Sequence, residues 1–476
     1  MLKTLIIGAD AVCPEYIFDH PERYPNLSAL ASGGASGAYS AYVQKGYHDS
    51  YLSEMNWASI YTGLAPWEHR IALLEDGCRR AATMGQFDTL SPFWKILNNH
   101  GLSVGLWTPI CCADPVELDG YTVVSTAVPL ESPQSNRIVK RTLQVCEKDK
   151  LILDMISEEA PPRLYPRTLA QQGYIFEDLR RSPALAWEAV QAYHFQDALE
   201  NFREELEFFF QSICAVQRRC PVDVLYFYTP TTDLIGHCAM YRDDSETLTA
   251  AYQLLDQYVG RWVDALQPEN TVVLSDHGMC NFKDLVQCED EAVRREAFAA
   301  RDEVIWLPNG YIAFEAHNGA ILFTAHALKG TFIAGGHDIR HTVIEQMRTL
   351  DVYPTLLELM GVRIPDGRAG FVEDIFNRGL VNQERLLPMV VPCQQAAVLQ
   401  CCLPSVTDIV LNELYVHNRF TQFTVIGEEK YREIFLHNPR VRGFVPYEAF
   451  DPAVFDEVYC GIHNGISGLT RHVRVR

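Results

Sequence analysis

The strongest constraint on the fold is the alternation of short apolar segments with segments of helical spacing. The apolar segments are rich in aliphatic and β-branched residues, as expected of strands buried on both faces of a sheet. They are residues 3–8, 103–107, 222–228, 271–274 and 330–336. Helical spacing is found at residues 91–100, 251–266 and 351–361. Strands and helices in this rhythm are typical of an α/β fold with a mostly parallel sheet.

The α/β rhythm lapses in the middle of the chain and is absent near its end. Prolines break up the first part of residues 111–220, and a long amphipathic stretch follows at 187–210. We interpret this region as an inserted, mostly helical cap. The predicted organisation is a first part of the α/β core at 1–110, the cap at 111–220, a second part of the core at 221–382, and a C-terminal extension at 383–476.

The charge balance argues against a nucleic-acid scaffold. The 476 residues include 40 basic and 61 acidic ones, a net charge of −21. A surface of that sign repels a polyanion. A small anionic substrate remains compatible with it if metal ions supply positive charge locally.

The sequence also predicts a compartment. The residues M-L-K-T-L-I-I-G-A-D-A lack the layout of a signal peptide, and no window has the roughly 18 apolar residues of a membrane helix. The 14 cysteines are scattered, which favours reduced, buried thiols over disulfides. We therefore expect a cytoplasmic protein without a membrane partner.

Acids and histidines follow the predicted strands at the points where each strand ends. Asp10 follows the first strand, Asp233 and His237 follow the strand at 222–228, and Asp276 and His277 end the next one. In a parallel sheet these points meet at one edge, where open α/β folds bind ligands. Three aspartates brought together would repel each other unless cations lie between them. Mixed Asp and His ligands suit zinc and, more loosely, manganese or iron.

The motifs around these residues carry a family resemblance. They include L-I-I-G-A-D-A, W-A-S-I-Y-T-G-L-A-P-W-E-H-R-I, T-D-L-I-G-H, V-L-S-D-H-G-M and A-H-A-L-K-G-T-F-I-A-G-G. In this order the chain resembles the alkaline phosphatase superfamily, in particular its type I phosphodiesterase/nucleotide pyrophosphatase branch. The resemblance covers roughly residues 1–110 and 220–380. It implies a three-layer α/β/α sandwich of the alkaline phosphatase type.

The resemblance also assigns roles to residues. It implies two divalent metal ions, zinc first and manganese as the alternative. The ligands of one metal would be Asp233, His237 and His326. Those of the other would be Asp10, Asp276 and His277, completed by the nucleophile hydroxyl.

The nucleophile and the last ligand each have neighbouring alternatives. The family's hydroxyl stands nine residues before the T-G of Y-T-G, which gives Ser53, with Ser50 as a rival. The last ligand precedes a strand like K-G-T-F-I-A-G-G by a few residues, which gives His326. The histidines close to it are His317, His337 and His341.

The implied activity is hydrolysis of phosphodiester or pyrophosphate bonds through a phosphoseryl intermediate on Ser53. The expected partner is a small phosphorylated substrate, with a nucleotide as one candidate, and a homodimer is left open. A sulfatase motif, C/S-x-P-x-R, is absent from S-E-M-N-W. An inactive, metal-binding relative is a weaker alternative, since every ligand position is filled.

Three departures from the family pattern keep phosphomonoester or phosphonate hydrolysis open. Met55 stands where the family usually has a proline, and the nucleophile is a serine where many diesterases use threonine. Leu74 stands where a phosphate-binding asparagine is expected. Backbone amides near Ser53, Lys45 and His48 are the candidates to replace it.

Overall fold

The computed structural model covers the whole chain, and its described residues come in several ranges. These are 2–41, 52–69, 71, 87, 89–110, 112, 114–129, 138–159, 165–166, 196–241, 244–281, 304–306, 312–315, 321–322, 324–327, 329–386, 396–400, 411, 423–436, 441–463 and 470–474.

Strands and helices alternate through most of these ranges. The strands are β1 Thr4–Ala9, β2 Ala35–Ser40, β3 Val104–Trp107, β4 Gly120–Pro129, β5 Ile138–Gln144, β6 Tyr165–Pro166, β7 Val224–Thr229, β8 Asn270–Leu274, β9 Gly278–Asn281, β10 Val304–Trp306, β11 Ile312–Glu315, β12 Ile321–Leu322, β13 Thr324–Ala327, β14 Lys329–Gly336, β15 Thr342–Arg348, β16 Ala396–Leu399, β17 Phe423–Gly427, β18 Val441–Pro446, β19 Glu457–His463 and β20 Thr470–Arg474. The α-helices are α1 Pro14–Phe18, α2 Pro25–Gly33, α3 Leu52–Thr62, α4 Pro66–His69, α5 Phe93–Asn99, α6 Lys150–Glu159, α7 Gln196–Arg219, α8 Thr231–Tyr241, α9 Ser245–Leu266, α10 Thr349–Leu359 and α11 Arg432–Leu436. Short 3-10 helices lie at Pro21–Arg23, Glu147–Asp149, Gln383–Arg385, Glu429–Tyr431, Tyr447–Ala449 and Pro452–Val454.

A single large sheet organises the described residues. Its strand order is β15-β2-β14-β8-β1-β7-β3-β4-β5-β6. Strands β8, β1, β7, β3 and β4 are parallel neighbours. Strands β14 and β5 run antiparallel to their neighbours, and the other strands share one direction. The predicted mostly parallel α/β sheet is therefore confirmed.

Alternating side chains of the central strands pack on two helical layers. In β1, Ile6 belongs to a cluster with Trp57 and Leu356, from helices α3 and α10. Leu5 and Ile7, on the other face, belong to a cluster with residues of α7 and α9. This alternation follows from the two-residue repeat of a strand. It makes the three-layer α/β/α sandwich that the sequence predicted.

Part of the predicted cap region belongs to the central layers. Strand β4, at 120–129, pairs parallel with β3. Helices α6 and α7 place buried side chains such as Ile152 and Phe209 in the same cluster as Leu5 and Phe227. The rest of that region, residues 130–137, 160–164 and 167–195, lies outside the described residues, so a cap there stays a prediction.

The last part of the chain has a separate sheet. Its order is β18-β17-β16-β19-β20, with β20 antiparallel to β19 and the other pairs parallel. Ala397, Ile426, Phe455 and Val458 form a small core for it. None of the helices in the described ranges has the length and apolarity needed to span a membrane.

A buried histidine fastens the end of α4 to α3. His69 Nδ1 accepts a hydrogen bond from the amide of Ile71 at 3.0 Å, so Nε2 carries the proton and donates to Ser59 Oγ at 3.1 Å. Burial lowers the pKa of His69 to about 3 from its ordinary value of 6.5. As the pH is lowered, His69 of the unfolded chain therefore binds a proton before His69 of the folded protein does.

This shift predicts a pH dependence of stability. Between pH 6.5 and 3 the unfolded state binds the extra proton, so the free energy of unfolding falls as the pH is lowered through that window. His69→Gln should flatten this part of the curve, measured by denaturant unfolding at a series of pH values. The same substitution at exposed His20 is the control, and parallel curves for wild type and H69Q would contradict the assignment.

Candidate active site

The carboxyl ends of three adjacent strands form the site. Strands β8, β1 and β7 are neighbours in that order. Asp10 follows β1 directly, and Asp276 and His277 follow β8 after a single residue. Asp233 lies in the first turn of helix α8, which begins two residues after β7. The topology thus brings the predicted acids to one edge of the sheet, where α/β folds place ligands.

Four of the seven predicted site residues are in direct contact. Ser53 Oγ lies 2.8 Å from His277 Nε2 and 3.2 Å from Asp10 Oδ1. The same Nε2 lies 3.3 Å from Asp10 Oδ1 and 3.2 Å from Asp276 Oδ2. All four side chains are buried. Ser53, in the first turn of helix α3, therefore lies in contact with two of the predicted metal ligands.

The backbone fixes which nitrogen of His277 faces the cluster. Nδ1 lies 2.9 Å from the carbonyl oxygen of Gly278, which can only accept a hydrogen bond. Nδ1 therefore carries a proton, and Nε2 is the nitrogen that faces Ser53, Asp10 and Asp276. A histidine held in this way by its second nitrogen is the usual arrangement of a metal ligand.

The other three predicted ligands lie on elements that border this cluster. One ligand atom from each of Asp10, Asp233 and His277 falls within 4.8 Å of the others, a grouping that can hold a metal ion. His237 stands one helical turn after Asp233 in α8. His326 lies in β13 and pairs with Met279 of β9. Met279 is two residues after His277 in the chain. The side chains of His237 and His326 lie outside the described residues.

The direction of β14 decides at which edge of the sheet the alternative histidines lie. This strand is antiparallel to β8, with Phe332 opposite Leu274 and Gly336 opposite Asn270. Residues before β14 therefore lie towards the carboxyl edge, whereas His337 follows it at the amino edge, where Nδ1 lies 3.2 Å from Asp338 Oδ1. His341 precedes β15, which starts at that same amino edge. His317, Ser50, Lys45, His48 and Leu74 lie outside the described residues.

Burial and the charges of neighbouring aspartates destabilise the charged forms of both buried carboxyl groups. Burial raises the pKa of Asp276 well above its ordinary value of 3.8, and the charge of Asp10 raises it further. The pKa of Asp10 is also raised, first by burial and then by the charge of Asp233. A cation at this position would remove both effects, because it stabilises the carboxylates.

The turn after β1 is fastened to the turn after β8. The amide of Ala11 donates to Asp276 Oδ1 at 3.4 Å, and the amide of Val12 donates to Ser275 Oγ at 3.0 Å. Ala11 has a φ of 55°, in the left-handed region that costs a residue with a Cβ about 1 kcal/mol or more. The strained backbone is part of what places Asp10 and Asp276 side by side.

Two aromatic residues at the site escaped the sequence analysis. Tyr228 OH donates to Asp10 Oδ2 at 2.5 Å, and Trp57 Nε1 donates to the same oxygen at 3.3 Å. Trp57 stands four residues after Ser53 in the same helix, on the same face, and this spacing was a usable signal. Tyr228 had no comparable signal, because it reads as one more buried strand residue.

A comparison with protein families decides the identity. The model described as type I phosphodiesterase / nucleotide pyrophosphatase matches residues 4–329, more than half of the chain. The chain belongs to this family. The resemblance found in the motifs is thereby confirmed, and all seven predicted site residues fall inside the matched range. Membership in the type I phosphodiesterase family places the chain among hydrolases of phosphoric esters.

Solved structures with similarity to this family member include three kinds of hydrolase. Human ectonucleotide pyrophosphatase / phosphodiesterase 5 is 14% identical, over 79% of this chain and 100% of that chain, with a TM-score of 0.43. A mutant of the alkaline phosphatase PafA is 11% identical, over 78% and 98%, with a TM-score of 0.44. A 2-O GAG sulfatase is 11% identical, over 78% and 73%, with a TM-score of 0.42. No curated protein matches the chain in sequence.

The donor set fits a divalent metal. Asp276 Oδ2 is buried and accepts no hydrogen bond from a described residue. Together with Asp10 Oδ1 and His277 Nε2 it forms a set of two carboxylate oxygens and one imidazole nitrogen. Ligands around tetrahedral zinc lie about 3.3–3.6 Å apart, close to the 3.2 and 3.3 Å between Nε2 and the two carboxylate oxygens. Mixed carboxylate and imidazole ligands suit zinc or manganese.

The raised pKa of Asp276 gives a prediction about stability with and without a bound metal. In the metal-free protein the raised pKa means that stability is lost as the pH rises above 3.8, so Asp276→Asn should raise the melting temperature at pH 7. Zinc at 100 times its Kd should stabilise the wild type by about 2.7 kcal/mol. D276N should lose most of that gain, measured by thermal unfolding with and without zinc.

Asp256→Asn is the matched control for this prediction. Asp256 is also a buried acid with a raised pKa, but it accepts hydrogen bonds from Leu27 and Asn26, away from the site. D256N should therefore respond to zinc as the wild type does. An equal zinc response in D276N and the wild type would remove Asp276 from the ligand set.

Proposed function

We propose that the protein is a two-metal hydrolase that cleaves phosphodiester or pyrophosphate bonds of a small substrate through a phosphoserine at Ser53. The observation that carries the proposal is the convergence of Ser53 Oγ, Asp10 Oδ1, Asp276 Oδ2 and His277 Nε2 within 3.3 Å contacts. Asp10, Asp276, His277 and Ser53 would hold one metal. Asp233, His237 and His326 would hold the second.

The metals, when bound, would lower the pKa of the serine hydroxyl and offset the negative charge of the phosphoryl group. Ser53 Oγ would then attack phosphorus. The bond from Oγ to phosphorus forms, the bond to the leaving oxygen breaks, and that oxygen departs with the electron pair and takes up a proton. Water subsequently adds its hydroxyl to phosphorus, the bond from phosphorus to Oγ breaks, and the proton of the water goes to Ser53 Oγ.

The position of Ser53 favours this step. It lies in the first turn of the 11-residue helix α3, and the amide groups at this end of a helix carry partial positive charge. An anionic phosphoryl group in contact with Oγ would approach that end of the helix. These amides support the expectation that the backbone near Ser53 takes over part of the role of the missing asparagine.

Phosphomonoester or phosphonate hydrolysis is the second candidate. It is favoured by the serine nucleophile and by Leu74 at the place of the expected asparagine. The attack by Ser53 on phosphorus is common to both candidates. A phosphomonoester carries one ester substituent where a phosphodiester carries two, and a phosphonate has a carbon atom bonded to phosphorus. A comparison of the two ester classes in one assay therefore separates them.

Ser53→Ala is expected to abolish turnover while zinc binding is largely kept. The oxygen that forms the bond to phosphorus is lost, whereas two carboxylates and an imidazole remain. The rate with bis-p-nitrophenyl phosphate should fall by about 1,000-fold or more, and zinc should still raise the melting temperature. Mass spectrometry of wild-type protein quenched during turnover should find phosphate on the peptide that contains Ser53.

Ser59→Ala is the matched control, because Ser59 is a buried serine of the same helix that contacts His69 instead of the metal ligands. S59A should keep its turnover. The proposal fails if zinc-loaded wild type cleaves neither bis-p-nitrophenyl phosphate nor p-nitrophenyl phosphate, or if S53A cleaves them as fast as wild type. Preference for the monoester would select the second candidate.

The compartment and the partners of the protein are proposed from its sequence. Scattered cysteines favour the cytoplasm, and in the described residues Cys13, Cys112, Cys146, Cys214 and Cys220 are free. Burial raises the pKa of the Cys13 thiol to about 12, so it is an inert packing residue. The proposed partner is a small phosphorylated substrate, and a homodimer stays an open alternative.

A further inference from the structure

The carboxylate of Asp10 is held asymmetrically. Its Oδ2 accepts hydrogen bonds from Tyr228 OH at 2.5 Å and Trp57 Nε1 at 3.3 Å. Its Oδ1 instead faces Ser53 Oγ at 3.2 Å and His277 Nε2 at 3.3 Å. A carboxylate oxygen has two lone pairs, so two donors occupy Oδ2 fully. Oδ1 is the oxygen that remains for the cluster.

The backbone of Asp10 is fixed as well. Its amide donates to the carbonyl of Thr229 at 3.0 Å, and its carbonyl accepts a hydrogen bond from Thr232 Oγ1. The main freedom left to the side chain is rotation of the carboxylate. The donors Tyr228 and Trp57 oppose this rotation, because turning the carboxylate would break both of their hydrogen bonds.

We propose that Tyr228 and Trp57 are positioning residues that restrict Asp10 to one ligand oxygen, Oδ1, and keep it in register with Ser53. The inference rests on the proposed function, in which Asp10 and Ser53 share a metal. Because Trp57 and Ser53 belong to one helix, the same element supplies the nucleophile and a donor to the ligand beside it. A shift of α3 would therefore move both together.

The sheet beneath the site is shaped to admit this arrangement. Gly8 lies two residues before Asp10, and a Cβ there would come within 2.7 Å of Trp57 Cη2 and 2.9 Å of the Tyr226 hydroxyl. The indole can lie close against β1 only because position 8 has no side chain. Trp57 also packs edge-on against Tyr228, with ring centroids 5.2 Å apart. Gly8, Trp57 and Tyr228 thus form one supporting layer under Asp10.

The decisive measurement is metal affinity without turnover. Tyr228→Phe removes one oxygen and keeps the ring, and Trp57→Phe removes the indole donor. Loss of such supporting donors weakens metal affinity by about 10- to 100-fold. The zinc Kd of metal-free protein, measured by competition with a chelator, should rise by that factor in Y228F and by less in W57F, whose hydrogen bond is longer.

Tyr61→Phe is the matched control. Tyr61 belongs to the same buried aromatic cluster, and its hydroxyl contacts Tyr226 OH at 2.8 Å instead of Asp10. Y61F should leave the zinc Kd unchanged. A purely structural role of Tyr228 would be seen as equal effects of Y61F and Y228F on affinity, and this result would overturn the inference.

A second measurement tests how many ligand atoms surround the metal. In cobalt-substituted protein the visible spectrum depends on the number of ligand atoms. Y228F should shift this spectrum towards higher coordination as Oδ2 becomes available, with the substrate KM unchanged and kcat lowered. Y61F should give the wild-type spectrum.

The outcomes separate the two proposals. If wild type binds zinc and Y228F has the wild-type Kd and cobalt spectrum, the positioning role is overturned while the proposed function stands. If wild type binds neither zinc nor cobalt, the proposed function fails and the inference fails with it. Thermal unfolding of each variant shows that the comparison is made on folded protein.

Discussion

Asp10 and Asp276 are buried side by side at the carboxyl edge of the central sheet, together with Nε2 of His277. Burial raises the pKa of both acids, and so do neighbouring charges, that of Asp233 on Asp10 and that of Asp10 on Asp276. The arrangement therefore opposes folding unless a cation or a proton joins it. Much of the surrounding structure counteracts this repulsion. The strained turn at Ala11 and the donors Trp57 and Tyr228 hold groups that would otherwise move apart.

The order of strands makes this concentration of charge attainable. Strands β8, β1 and β7 lie next to each other although they are far apart in the chain, so the ends of all three meet within one site. The antiparallel strand β14 adds a further element, since the chain enters it at the carboxyl edge. That direction is why a histidine before β14 can approach the site, whereas the histidine after it lies at the opposite edge.

Much of the fold and of the candidate site was accessible from the sequence. Apolar strands with an acid at the end predicted β1 and β8 to within a residue or two, because a strand buried on both faces leaves a continuous apolar run. Trp57 was accessible in principle through its helical spacing from Ser53. Tyr228 was not, since the donor role of a tyrosine depends on which strand becomes its neighbour. The place of β4 in the central sheet was missed because Pro115 precedes it and Pro129 and Pro133 end and follow it, a pattern typical of loops.

The sequence by itself determined which side chains are available to the site: carboxylates and imidazoles of the kind that bind metals, a serine hydroxyl, and apolar strands that deliver them. These are properties of residue type and local order, which do not depend on distant contacts. Only the tertiary structure decided which atoms converge. The local backbone turn decides which nitrogen of His277 faces the cluster. Hydrogen bonds between residues more than forty positions apart select Oδ1 over Oδ2 in Asp10. Strand direction decides the edge at which each histidine lies.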